Sequence, residues 1–226
     1  FEPNPYEACV HNRIVRGKQQ TVCFHVDDLK ASGQTDTNDA LVLKLRSEYE
    51  HIQSDGSGKM TVHRGKTHEY LGMTLDYNTP GVCEVSMKKY TQEIISEAEK
   101  GMDNCKGVKA SAAPKDDWRK LAHLIKYLRG TKDLVLRLGA KGDSVLRWWI
   151  DGSHGVHPNL RGHTGGGLSM GVGYPISQSG KQKLNTRSST ESELVAVDDM
   201  MPTVLWARQF LENQAYTLKD NLVYQD

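Results

Sequence analysis

Thr21-Val-Cys-Phe-His-Val-Asp-Asp-Leu-Lys30 is the stretch on which the reading of the chain turns. Val22, Phe24 and Val26 alternate with Cys23 and His25, the period of two of a half-buried strand. Asp27 and Asp28 break that strand, and Leu29-Lys30-Ala31-Ser32 can run back beside it. Two carboxylates at one hairpin tip repel, and each prefers its own water. The residues leave two readings open. One is a turn whose Asp side chains bond nearby backbone; the other is a site that uses both acids.

Working outward, residues 5–20 read as a first strand, a turn at Gly17 and entry into the Asp-Asp hairpin. From Thr37 to about His51, Leu41, Leu45, Tyr49 and Ile52 fall at helical spacing, with Asp36 and Thr37 as able N-caps. Ser54-Asp-Gly-Ser-Gly58 ends that helix. Residues 59–87 read as short strands, of which Glu69–Tyr77 is the strongest, and Pro80-Gly81 turns it back. Gly72 inside it reads as a bulge or as a place where another backbone approaches closely. Residues 88–100 form an amphipathic helix, Asp103 to Lys115 a polar linker, and Asp116–Thr131 the clearest helix, with Trp118, Leu121, Ile125 and Leu128 on one face and Gly130 as its cap.

The C-terminal part carries a second set of acids. Val145-Leu-Arg-Trp-Trp-Ile150 is a buried-strand run that stops at Asp151-Gly152. Gly165–Gly173 and Tyr174–Ser179 suggest two strands joined by glycine turns, and Ser188 with Glu191 has capping-box spacing at the head of a helix. Leu194, Val197 and Met201 are the expected buried face of that helix, which Pro202 interrupts or restarts. Leu222–Asp226 is a last strand ending on an acid. Glu191 and Glu193 read either as partners of the helix dipole or as ligands. His154, His157 and His163 share a glycine-containing loop, read as an exposed loop rather than a zinc site because no fourth ligand is evident.

Phe24-His-Val-Asp-Asp-Leu29 resembles the catalytic hairpin of reverse transcriptases in copia-type retrotransposons, with His25 where the family most often has Tyr. Tyr70-Leu-Gly-Met73 is similar to the family's following motif, residues 88–100 to the start of its thumb, and Tyr127-Leu-Arg-Gly-Thr131 to the end of its connection helix. Trp149-Ile-Asp-Gly-Ser-His154 and Lys181–Leu194 resemble the family's ribonuclease H region. The resemblance implies a mixed α+β or α/β fold: partial palm and start of thumb over 1–102, linker and connection helix over 103–133, and a partial ribonuclease H-like domain over 134–226. It implies Asp27 and Asp28 as catalytic metal ligands, and Asp151, Glu193 and Asp226 as a second set, with Glu191 the rival for the middle role. The implied cofactor is magnesium or manganese, since hard dications prefer oxygen ligands and two ions can clamp an in-line displacement at phosphorus. The implied partner is an RNA–DNA hybrid or primer–template, approached by His25, Gly72, Lys120, Lys126 and Arg129.

The composition bounds these expectations. A net charge of +1 means that nucleic-acid affinity must come from local patches, such as Arg13, Arg16 and Lys18 or the basic run between Lys106 and Lys132, which reads equally as a solvated helix face. The four cysteines have no paired short spacing, which points to a reducing, intracellular compartment, cytoplasm or nucleus. No apolar run approaches the ~20 residues that cross a bilayer, and the start is not a signal peptide. Residues 1–20 hold no strand ending in Asp, and the chain stops on Asp226. The expectation is therefore a piece truncated at both ends, inactive as this chain, with a non-catalytic scaffold that binds a protein partner as the alternative.

Overall fold

A computed structural model describes the backbone of residues 1–104 and 115–225. The expected linker lies largely outside them, as do Lys106 and Lys109. The elements, in order, are β1 (Glu2–Asn4), β2 (Glu7–Val15), β3 (Lys18–His25), β4 (Asp28–Ser32), α1 (Thr35–Tyr49), β5 (Thr67–Tyr70), β6 (Met73–Asp76), β7 (Val82–Ser86), α2 (Lys88–Asn104), α3 (Lys115–Thr131), β8 (Leu136–Ala140), β9 (Val145–Ser153), β10 (His163–Ser169), β11 (Gly171–Val172), β12 (Ile176–Lys181), α4 (Ser189–Asn213) and β13 (Asp220–Tyr224). The architecture is mixed α+β.

The chain divides into two compact units, Phe1–Val62 with Gly139–Asp226, and His63–Leu138. This partition differs from the sequence-based boundaries at 102 and 133. The reason is that the N-terminal strands bond to the far end of α4: Trp206 Nε1 donates to the Tyr6 carbonyl at 2.8 Å, and Asn4 Nδ2 to the Phe210 carbonyl at 3.2 Å.

In the first unit, β1-β2-β3-β4 form an antiparallel meander. Gln20 is buried in it and satisfied on both sides, accepting from Arg13 Nε and donating to Asn38 Oδ1, each at 2.7 Å. Helix α1 begins after Gln34, with no side-chain cap, rather than at the expected Asp36 or Thr37; Thr37 is instead buried and donates to the Gln34 carbonyl.

The second sheet has the order β12-β10-β9-β13, antiparallel except for β13, which returns after α4 to lie parallel to β9. Strand β9 alternates: Leu146, Trp148, Ile150 and Gly152 are buried, while Trp149, Asp151 and Ser153 are exposed. The buried set packs with Leu168, Ala196, Met200, Val204 and Ala207. Trp148 is fully buried and its Nε1 donates to Asn221 Oδ1 at 2.8 Å, so its one polar atom is satisfied by the neighbouring strand. On the other face Trp149 stacks on Tyr224 and meets Tyr174 edge-on.

The buried stripe of α4 is Ser192, Ala196, Met200, Val204 and Ala207; of the expected face, Val197 and Met201 pack against it partly buried and Leu194 is exposed. Small residues win these positions because the helix lies close on the sheet. A Cβ on Gly152 would meet the Ser192 carbonyl oxygen at 2.5 Å, and one on Gly166 the Met200 side chain at 2.7 Å. Gly165–Gly167 accordingly sit inside β10, within the strand expected over Gly165–Gly173, which is divided at Met170 into β10 and β11. Helix α4 runs through Pro202 without ending there.

The second unit contains β5, β6 and β7 in antiparallel order and the α2–α3 pair. Gly72 is neither strand nor bulge. Tyr70 pairs with Met73, and Leu71 and Gly72 both have positive φ, a two-residue hairpin turn. Thr79-Pro80-Gly81-Val82 is a turn closed by the Val82 N–H on the Thr79 carbonyl, with Gly81 at φ +74°. Burial and the Cys83 thiol beside it push the Tyr77 phenol up to about 12. Ile125 is the buried residue of α3.

Gly152→Ala is expected to destabilise the fold by about 2 kcal/mol, because its Cβ meets backbone that cannot rotate away. Chemical denaturation checks it. A midpoint equal to that of the parent would mean that β9 and α4 part without cost.

Candidate functional site

The hairpin tip is built as a two-residue turn, Val26-Asp27, between His25 and its partner Asp28. Val26 has φ +54° and is 89% exposed. A β-branched residue in that region is strained by roughly 1–2 kcal/mol. Two other two-residue hairpin turns, Arg16-Gly17 and Leu71-Gly72, place a glycine second, whereas Pro5-Tyr6 joins β1 to β2 without one. Here the turn ends on a carboxylate instead, and Asp27 and Asp28 are both exposed, with no side-chain hydrogen bond or ion pair among the described residues. The capping interactions that justify Asp in an ordinary turn are therefore not made here. His25 is exposed at the end of β3 beside them.

The second set gathers at the end of β9. Asp151 is exposed there. Gly152, next to it, admits the first turns of α4, and its N–H donates to Glu193 Oε2 at 3.0 Å. Gln225 Nε2 donates to the same Oε2 at 3.0 Å and to the Glu193 carbonyl at 2.7 Å. Glu193 is thus fixed at the strand end by neighbours on both sides. Glu191 has a different occupation. Its N–H donates to Ser188 Oγ at 3.2 Å, and its carboxylate accepts from the Arg187 N–H. That is a helix cap, and it separates the two glutamates by role.

Asp226 lies outside the described residues, among which no group of three or more His, Cys, Asp or Glu side chains stands ready to hold a metal. The donor set at β9 and α4 is nevertheless of hard oxygen type, and only one of the two Glu193 oxygens is engaged as an acceptor, so Asp151 and Glu193 fit a magnesium or manganese ion in chemistry.

Beneath this end lies a polar network that the sequence did not announce. Gln182 is fully buried, and its Nε2 donates to the Ser192 carbonyl at 2.9 Å and to Thr164 Oγ1 at 3.2 Å. Thr164 Oγ1 donates in turn to Asp199 Oδ2 at 2.8 Å. Gly162 leaves room for the Gln182 amide, since a Cβ there would meet Oε1 at 2.2 Å. The signals that could have found these residues are Asp-Gly after a buried strand, for Gly152, and a lone Gln between two lysines, for Gln182.

The basic residues expected to meet nucleic acid are differently placed. Lys120 pairs with Asp116 at 2.7 Å and Asp117 at 3.7 Å on its own helix, and Arg129 pairs with Glu99 of α2. Lys126 has no ion pair among the described residues. Gly72 is an exposed turn residue with open space where a Cβ would be. No described helix is long and apolar enough to cross a membrane.

No family model matches the chain, and no solved structure matches it. The chain is similar to the retrovirus-related Pol polyprotein from transposon TNT 1-94 of Nicotiana tabacum, 29% identical over 113 residues. That similarity covers 50% of this chain but 8% of the tobacco protein. It supports a retrotransposon polyprotein as the origin of the sequence.

Proposed function

We propose that the chain is a reverse transcriptase–ribonuclease H piece of such a polyprotein, engaging an RNA–DNA hybrid at the end of β9. One observation carries this reading: Glu193 is held at the end of β9 by the Gly152 N–H, on the residue next to Asp151. Where two carboxylates converge at a strand end, a hard dication between them relieves their repulsion. Asp151 and Glu193 would hold magnesium or manganese, which when bound stabilises negative charge developing on a phosphoryl group. The chain's own part is placement. Gly152 and Gln225 orient the Glu193 carboxylate, and Gln182 and Ser192 fix the helix turn that bears it. The order antiparallel hairpin, helix with an acid in its first turns, then a strand parallel to the first supports the ribonuclease H reading. The strained, unpartnered Asp27-Asp28 tip supports the reverse-transcriptase reading of the N-terminal part.

A second reading, a binding scaffold without chemistry, is favoured by a specific observation. Glu193 is already satisfied by two donors, and Lys120 and Arg129 are already paired with carboxylates. Hybrid contact through α3 therefore rests on Lys126 and Arg119, which have no ion pair among the described residues.

Metal binding separates the two. With a dissociation constant of about 1 mM, about 10 mM magnesium stabilises by roughly 1.4 kcal/mol, a rise in Tm of about 3 °C. The rise is expected in the parent and absent in Asp151→Asn and Glu193→Gln, read by calorimetry, while Glu191→Gln keeps it. No response in the parent, together with a higher Tm for Asp151→Asn, would establish the scaffold.

Hybrid binding over a salt series tests the role of α3. Lys126→Ala is expected to lower the salt slope by about one counterion. Lys120→Ala and Arg129→Ala, whose charges are already neutralised, should change it less. Equal effects of all three would show that the ion pairs open on binding.

A further inference from the structure

The histidine cluster divides in two. His154 Nδ1 bonds Thr186 Oγ1 at 3.0 Å and Ser192 Oγ at 3.2 Å, beside the acidic end of β9. His157 and His163 belong elsewhere. His163 opens β10 opposite Lys181 of β12, and two residues before Lys181 stands Ser179, which lies opposite Gly165. In an antiparallel pair these diagonal side chains share a face. His163 Nε2 lies 2.7 Å from Ser179 Oγ, and His163 Nδ1 lies 3.0 Å from His157 Nε2.

His157 is held by its own turn. Its N–H donates to the Arg161 carbonyl at 3.2 Å, its carbonyl accepts from the Leu160 N–H at 2.8 Å, and Leu160 takes φ +59° to close the loop. One tautomer set satisfies the whole line: Ser179 O–H donates to His163 Nε2, and His163 Nδ1–H donates to His157 Nε2. Hydroxyl, imidazole and an orienting acceptor in series is the arrangement that makes a serine nucleophilic. Desolvation, then the neighbouring His163 and Lys181, hold the His157 imidazole below its usual range. Ser179 also lines an open cavity of about 540 Å³ together with Thr164, Lys181, Lys183 and Asp199. Two ammonium groups against the one carboxylate of Asp199 leave its wall net positive, which favours a negatively charged molecule.

We propose that Ser179, His163 and His157 form a nucleophilic relay that accepts acyl groups from esters of anionic acids, independently of the acidic end of β9. Ser179 Oγ attacks the ester carbonyl carbon, and its proton passes to His163 Nε2. The bond from carbonyl carbon to leaving-group oxygen breaks, and that oxygen takes the proton from His163. The acyl-serine that remains is released when water attacks the same carbon, giving the free acid and restoring the Ser179 hydroxyl.

The probe pair is 4-nitrophenyl hemisuccinate, which is anionic, and 4-nitrophenyl acetate, which is neutral. Nitrophenolate release is followed optically and the acylated residue is located by peptide mass spectrometry. The expected result is acylation at Ser179, faster with the hemisuccinate. It should be lost in Ser179→Ala, retained in Ser179→Cys and slowed about 10²-fold in His163→Ala, the scale of a lost general base. His157→Ala should slow it less, and Lys181→Ala/Lys183→Ala should bring the hemisuccinate rate down to that of the acetate. Circular dichroism of each variant confirms the fold; Ser179 is exposed, so its replacement carries no packing cost. Acylation confined to Lys181 or Lys183, a parent rate equal to that of Ser179→Ala, or a folded His163→Ala variant that reacts at the parent rate would each overturn the proposal.

Discussion

The first turns of α4 touch β9 at backbone level, and the second half of the chain depends on that contact. It is possible only because residue 152 has no side chain: a Cβ would stand 2.5 Å from the Ser192 carbonyl oxygen. Close approach then selects small residues on the inner face of the helix, Ser192 and Ala196, with Met200 reaching over Gly166. It also brings Glu193 within hydrogen-bonding distance of the Gly152 N–H. Packing and the placement of the carboxylate are therefore one constraint. A bulkier helix face would lift the acid away from the strand end as well as open the core.

The two faces of β9 serve different ends. Inward, Trp148 fills the core and finds Asn221 for its indole N–H, which couples β13 to β9 by a side chain as well as by the ladder. Outward, Trp149 is flanked by Tyr224 and Tyr174, and Tyr174 lies over Gly167, where a Cβ would meet its ring at 2.8 Å. Two glycines in succession in β10 thus serve two neighbours on opposite faces, Met200 and Tyr174.

Much of this was legible in the residues. The strand from Val145 reads from its apolar run and the Ser188–Glu191 cap from its spacing. What was not legible depends on partners distant in sequence. Why β10 needs glycine at 166 and 167 shows only when Met200 and Tyr174 are seen beside them. Leu194 looks like core by hydropathy, yet the inner face is chosen by how closely the helix approaches the sheet, which favours serine and alanine. Gly72 reads as strand because its neighbours are apolar, and the positive φ of Leu71 that makes the turn has no sequence mark. At the candidate site, the acids were visible as a strand-end Asp and a helical Glu, whereas Gln225 became visible only through the bonds it makes.

The position of β13 has a consequence for the order in which the molecule assembles. The meander β9-β10-β12 closes through short connections, but β13 pairs with β9 only after α4 has been crossed, joining Val145 to Asp220. Loop-closure entropy must be met before such a distant pairing returns any energy, so local hairpins and helices are expected to form first and this strand to dock late. Gln225, which holds Glu193, arrives with it. The carboxylate is therefore oriented in the last step of folding. A chain still emerging during synthesis, or one frayed at this edge, would hold a formed core and an unformed site.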